Sequence, residues 1–212
     1  MYLGTEFHRY WARCNGKTHP DDEIYLQQSP FSNDHLPCPF DGPLENAKVV
    51  ICLANPNYPD EDGKTDEFNR LIQEQRSGEE DLPEAWDYYY EPRIAGPINV
   101  EMQQLRAVVA VFNVCPYASK NMNGIEQRRA AGLPSVWQAQ KYLREVLIPR
   151  AQTGNIYLVF MRKHFLWGIT EGLTSPTLKV VRGRELRGSL PTDVGQEIHE
   201  WLLKKKLIAE SK

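Results

Sequence analysis

Two asparagines stand where side-chain chemistry would be on display. Asn55 follows the run Lys48-Val49-Val50-Ile51-Cys52-Leu53-Ala54 and precedes Pro56, Asn57 and Tyr58. Asn113 follows Ala107-Val108-Val109-Ala110-Val111-Phe112 and precedes Val114, Cys115 and Pro116. A side-chain amide carries one acceptor oxygen and two donor hydrogens, so it can read a flat polar edge. It cannot serve as a general base near neutral pH, although it can orient a water. A second group, Arg182, Arg184 and Arg187, carries cationic hydrogen-bond donors that could meet phosphates. Each has a plainer alternative. Either asparagine can hold the strand-to-loop turn by bonding nearby backbone, and the arginines can be charges on an exposed loop.

The elements that must position these residues can be read from periodicity. The two runs are short, continuous and rich in β-branched side chains, as expected of strands buried on both faces. Asn155 to Met161 and Leu178 to Val181 give two more. Between them, helices are expected at Asp66–Gln75, Pro97–Arg106, from an N-cap at Ser135 to about Pro149, and from Thr192 or Asp193 to the lysines 204–206, with a short one at His164–Ile169. Strands alternating with helices predict a three-layer α/β/α domain with a four-stranded, mostly parallel central sheet. In such a sheet ligands bind beyond the carboxyl ends of the strands, so Asn55 and Asn113 are expected to face one site.

A single domain over residues 1–212 is expected, with 1–47 as a wrapping segment and 48–212 as the α/β core. Within the wrapping segment a helix is expected near Glu6–Cys14, followed by a stretch broken by Pro30, Pro37, Pro39 and Pro43. Apolar residues make up 41% of the chain, enough to bury one core. No apolar stretch is long enough to span a membrane, and residues 1–30 carry no signal-peptide pattern, so a soluble cytoplasmic protein without membrane contact is expected. Cys14, Cys38, Cys52 and Cys115 are widely spaced and suggest neither a disulfide framework nor a cofactor or metal site. The net charge of −3 conceals an asymmetry. Residues 1–149 hold 22 acids against 14 bases, and residues 150–212 hold 6 against 11. Residues 60–91 alone carry 12 acids, among them Asp60 and Asp62, and the aromatic string Trp86, Tyr88, Tyr89, Tyr90. A basic C-terminal third could meet phosphates, or both regions could be solvated faces.

The strings Pro39-Phe40-Asp41-Gly42-Pro43, Ala47-Lys48-Val49-Val50 and Leu53-Ala54-Asn55-Pro56 resemble the opening of the uracil-DNA glycosylase superfamily. There a buried first strand ends in a loop of the form Gly-Ile-Asn-Pro-Gly or Gly-Gln-Asp-Pro-Tyr. Val111-Phe112-Asn113-Val114 is similar to the strand whose terminal Asn reads the base. Tyr88-Tyr89-Tyr90-Glu91-Pro92-Arg93-Ile94-Ala95-Gly96 and Leu133-Pro134-Ser135 are similar to a bacterial branch of glycosylase-like proteins. The resemblance spans roughly residues 39–190.

The resemblance implies a base-binding cleft, with DNA or a nucleotide as partner. Asn113 would read the base, and Tyr58 would lie beside it. Asn55 would orient water for cleavage of the N-glycosidic bond. Superfamily enzymes place a His-Pro-Ser-Pro string after the fourth strand; here Arg182-Gly183-Arg184-Glu185-Leu186-Arg187 stands in its place. Arg182 would then assist departure of the base, and Arg184 and Arg187 would contact the nucleic-acid backbone. The same cleft could serve a non-catalytic relative that binds a nucleotide, nucleic acid or protein.

Overall fold

A computed structural model describes residues 4–27, 30–31, 34–56, 65–76, 80–119, 122–161, 163–170, 173, 175–181 and 188–209. Its centre is one sheet of five strands: β1 (Phe40–Asp41), β2 (Val49–Leu53), β3 (Val109–Asn113), β4 (Tyr157–Phe160) and β5 (Leu178–Val180). The spatial order is β1-β3-β2-β4-β5. β2, β3, β4 and β5 pair in parallel, while β1 runs antiparallel along the outer side of β3. Four of these strands are the expected ones, and β1 is a fifth beyond them. At two residues β1 is too short to show any alternation, and it lies inside the proline-rich stretch.

The strand pleat divides the core in two. Val50, Cys52, Ala110, Phe112, Leu158 and Phe160 face one side; Val49, Ile51, Val109, Val111, Tyr157 and Val159 face the other. Being covered on both sides, β2, β3 and β4 need apolar side chains at every position, hence their continuous runs. On the first side pack α1 (Gly4–Trp11) and a long helical stretch between β3 and β4. On the second pack α2 (Thr65–Gln75), the short helices between α2 and β3, and the last helix of the chain. Among the described residues no helix is long and apolar enough to cross a membrane.

The helices depart from expectation where backbone chemistry intervenes. α3 (Asp87–Tyr90) runs through a π turn, Glu91–Ala95, into α4 (Gly96–Ile98). Asn99 then adopts φ 60° and ψ 50°, and α5 (Met102–Leu105) starts afresh. The single helix expected over Pro97–Arg106 is thus broken by an Asn in the left-handed region, which short amide side chains tolerate. After α6 (Gly124–Ala131) comes α7 (Pro134–Tyr142). A π turn, Leu143–Leu147, joins α7 to α8 (Ile148–Gln152) without a break in the helical backbone, and Pro149 follows as the second residue of α8.

Ser135 does not cap α7. Leu133 is the N-cap and Pro134 opens the helix. The cap comes from the N-terminal segment instead: Asp22 Oδ1 accepts the Ser135 N–H at 3.0 Å, and Oδ2 accepts the Tyr117 hydroxyl at 2.7 Å. Asp22 is wholly buried, so the wrapping segment is tied to the core by a carboxylate at a helix N-terminus. α9 (Thr192–Lys204) closes the second side, with Ile198 and Leu202 wholly buried and the Gly195 backbone against α4. A Cβ at Gly195 would lie 2.1 Å from the Pro97 carbonyl oxygen, so only glycine allows this approach.

Candidate functional site

The expected meeting of the two asparagines is observed. In the register of β2 with β3, Leu53 pairs with Asn113, so both strands end together. The loops beyond them are laced by backbone bonds from Val114 N–H to Leu53 O and from Cys115 N–H to Ala54 O. Asn55 and Asn113 both line a recess of about 540 Å³, counted to its open mouth, that opens at this end of the sheet.

Antiparallel β1 brings a third strand end into the same place. Asp41 pairs with Val111, and opposed residues of an antiparallel pair share a face. Val111 and Asn113 are two apart, so Asp41, Val111 and Asn113 all face the second side of the sheet. Bonds from Asn113 N–H to the Pro39 carbonyl and from Cys38 N–H to the Pro116 carbonyl, each 2.8 Å, hold the Cys38–Asp41 segment in place. Gly42 follows at φ 85°, where an added Cβ would lie 2.6 Å from the Val109 carbonyl oxygen. A turn this close to β3 requires glycine.

Asn113 is 2% exposed. Its Nδ2 donates to the Cys38 carbonyl at 3.1 Å, which fixes the orientation of the amide. Its Oδ1 finds no hydrogen-bond partner among the described residues. A buried acceptor left unmade costs about 1–3 kcal/mol, so it marks a position where a donor is expected to arrive. Asn55 is engaged differently. Its Nδ2 donates to Ser119 Oγ at 3.1 Å and to the Pro56 carbonyl at 3.0 Å, joining the loops after β2 and β3. Any role in orienting water therefore falls to its Oδ1.

Asp41 sits beside them, buried and without a cationic partner among the described residues. Its Oδ1 accepts from Cys38 Sγ at 2.8 Å and its Oδ2 from the Tyr90 hydroxyl at 2.5 Å. Burial pushes the carboxyl up to about 6, against the two hydrogen bonds, which favour the charged form. Burial and the Asp41 charge raise Cys38 and Tyr90 well above their ordinary values, so both remain protonated donors.

The walls are aromatic. Phe68 of α2, Trp86, and Tyr88, Tyr89 and Tyr90 of α3 line the recess together with Leu53, Pro56 and Val111. Phe68 and Trp86 approach to 5.5 Å between ring centroids, and Tyr89 and Tyr90 to 5.1 Å. The Arg93 guanidinium stacks 4.1 Å over Tyr89, and a salt bridge from Arg106 to Asp87 anchors the start of α3. Tyr88 is 68% exposed at the mouth. The aromatic string within the acidic segment thus forms the walls of the recess.

Of the residues singled out from sequence, Asn55 and Asn113 meet, while Tyr58, Arg182, Arg184 and Arg187 lie outside the described residues, as do Asp60 and Asp62. Sequence reasoning missed Cys38, Asp41 and Tyr90. Their strings were noticed, but only the antiparallel pairing of β1 shows that they converge on Asn113. No protein-family model matches the chain, and neither does any curated protein or solved structure.

Proposed function

We propose that this recess binds a nucleobase presented by DNA or by a nucleotide, in the manner of the uracil-DNA glycosylase superfamily that the sequence resembles. The observation carrying the proposal is Asn113: a buried amide at a strand end, its orientation fixed by Cys38, with an unpartnered Oδ1, in a recess walled by aromatic rings. A flat heterocycle fits such walls by stacking, and a base in a duplex would have to be extruded to enter. Hydrolysis of the N-glycosidic bond is the activity this arrangement would support. In it Asn55 Oδ1 holds the water, Arg182 stabilises the departing base, and Arg184 and Arg187 meet phosphates. A relative lacking catalysis would hold the base through the same contacts.

Single- and double-stranded oligonucleotides of ordinary bases, and others carrying uracil, hypoxanthine or xanthine, incubated with the protein, treated with alkali and scored for breaks at every base, separate the two. Strand breaks that disappear in Asn55→Ala and Asn113→Ala support hydrolysis at this site. Breaks that persist unchanged in both variants place the activity elsewhere. If nothing is cleaved, a salt titration of binding decides the phosphate contacts. Each arginine that meets a phosphate contributes about 0.7–0.9 to the slope of log affinity against log salt.

A further inference from the structure

The polar atoms at the inner end of the recess are unevenly divided between donors and acceptors. Asn113 offers Oδ1, an acceptor without a partner among the described residues, beside the one Nδ2 hydrogen that is not given to Cys38. Asp41 offers two oxygens with about four lone-pair sites, of which Cys38 and Tyr90 use two. Both residues abut Cys38, whose carbonyl holds one and whose thiol holds the other. Asp41 and Asn113 therefore present adjacent acceptors on one face of the sheet, and no described cation answers the carboxylate.

We infer that the recess takes a heteroaromatic base whose edge carries an exocyclic amino group, as in cytosine or adenine, in preference to the corresponding oxo bases. The inference rests on the nucleobase reading above and specifies its substrate class. One amino group has two N–H hydrogens, enough for both Asn113 Oδ1 and Asp41, while the neighbouring ring nitrogen can accept the remaining Asn113 N–H. An oxo base can answer Asn113 Oδ1 with the ring N–H beside its oxo group, but it has no second hydrogen for Asp41 and turns lone pairs toward the carboxylate, leaving that charged acceptor unanswered. Sites built to bond a polar group discriminate strongly against analogues that lack it. The rings of Trp86, Tyr89 and Tyr90 add no preference of their own, because every base has a π-face to stack.

Isothermal titration calorimetry at about pH 7.5 with free cytosine, adenine, uracil and hypoxanthine tests this directly. Cytosine should bind more tightly than uracil, and adenine more tightly than hypoxanthine, by about tenfold or more, as expected for a hydrogen bond to a charged acceptor. Asp41→Asn should remove that preference, because an amide can donate to an oxo group as well as accept from an amino group. The wild-type comparison needs no variant, so the test survives a variant that folds poorly. Oxo bases binding as tightly as amino bases, or more tightly, would overturn the inference and leave the nucleobase reading standing. A preference retained by a folded Asp41→Asn would overturn the role given to Asp41. If none of the four bases binds, both the inference and the nucleobase reading fail.

Discussion

Replacing Asp41 with Asn should change how the stability of the protein depends on pH. Burial raises the Asp41 carboxyl from 3.8 to about 6 in the folded chain. The folded state therefore holds this proton more firmly than the unfolded state does. That contribution is fully present below about pH 4 and is lost as the pH rises through about 6. A rise from 3.8 to about 6, at ~1.4 kcal/mol for each pH unit, makes the ionised carboxylate cost the fold about 3 kcal/mol above pH 6. Asn is neutral throughout and keeps a similar shape against Cys38 and Tyr90. The stability of Asp41→Asn relative to wild type should thus become more favourable by about 3 kcal/mol between pH 3 and pH 7.5, roughly 6–12 °C in Tm for a chain of this size. Urea denaturation of both proteins, followed by circular dichroism at five or six pH values, measures it, and subtraction cancels every other titrating group. Two curves that stay parallel across that range would refute the reasoning, because Asp41 would then ionise alike in both states.

Other perturbations test other parts of the structure. Asp22→Ala removes the acceptor for two buried donors, the Tyr117 hydroxyl and the Ser135 N–H; at about 1–3 kcal/mol for each, Tm should fall by several degrees in a thermal melt. Tyr117→Phe should also lower Tm, since the hydroxyl both donates to Asp22 and accepts the buried His19 N–H, and its loss leaves both without that partner. Gly195→Ala places a methyl where only 2.1 Å separates it from the Pro97 carbonyl oxygen, so α9 must shift; a loss of about 3 kcal/mol or more by denaturant melting is expected, and a neutral result would contradict the packing of α9 on α4. Tyr90→Phe takes away a bond that favours the ionised form of Asp41, so the carboxyl should titrate at higher pH than in the wild type, read by NMR of a 13C-labelled Asp41.

The fold was legible where one physical demand dominated. β2, β3 and β4 are covered on both faces, and that requirement writes itself into the chain as unbroken apolar runs. That Asn55 and Asn113 line one recess followed from the strand ends alone. β1 was hidden because two residues cannot show a period, and its place beside β3 is set by tertiary bonds from Pro39, Cys38 and Pro116. With β1 went Asp41, whose neighbours in sequence give no hint that Tyr90 and Asn113 lie beside it. The break at Asn99 was missed for a related reason: helical spacing continues across it, and only the backbone angles of one residue interrupt the helix. Ser135 resembled an N-cap because its type suits that role, yet a carboxylate distant in sequence, Asp22, supplies the cap. Long-range partners, more than local propensity, decided what the sequence alone left hidden.

Asn113 is proposed to hold a nucleobase through its Oδ1, which has no partner among the described residues. The most direct test of this is the dissociation constant of free bases for the wild type and for Asn113→Ala, with Asn113→Asp as a second variant and melting temperatures taken alongside. Saturable binding to the wild type, weakened about 10- to 100-fold in a folded Asn113→Ala, is the result predicted from the loss of one or two hydrogen bonds in a buried pocket. Base binding that is unchanged in the folded variant, or absent from the wild type, would contradict it.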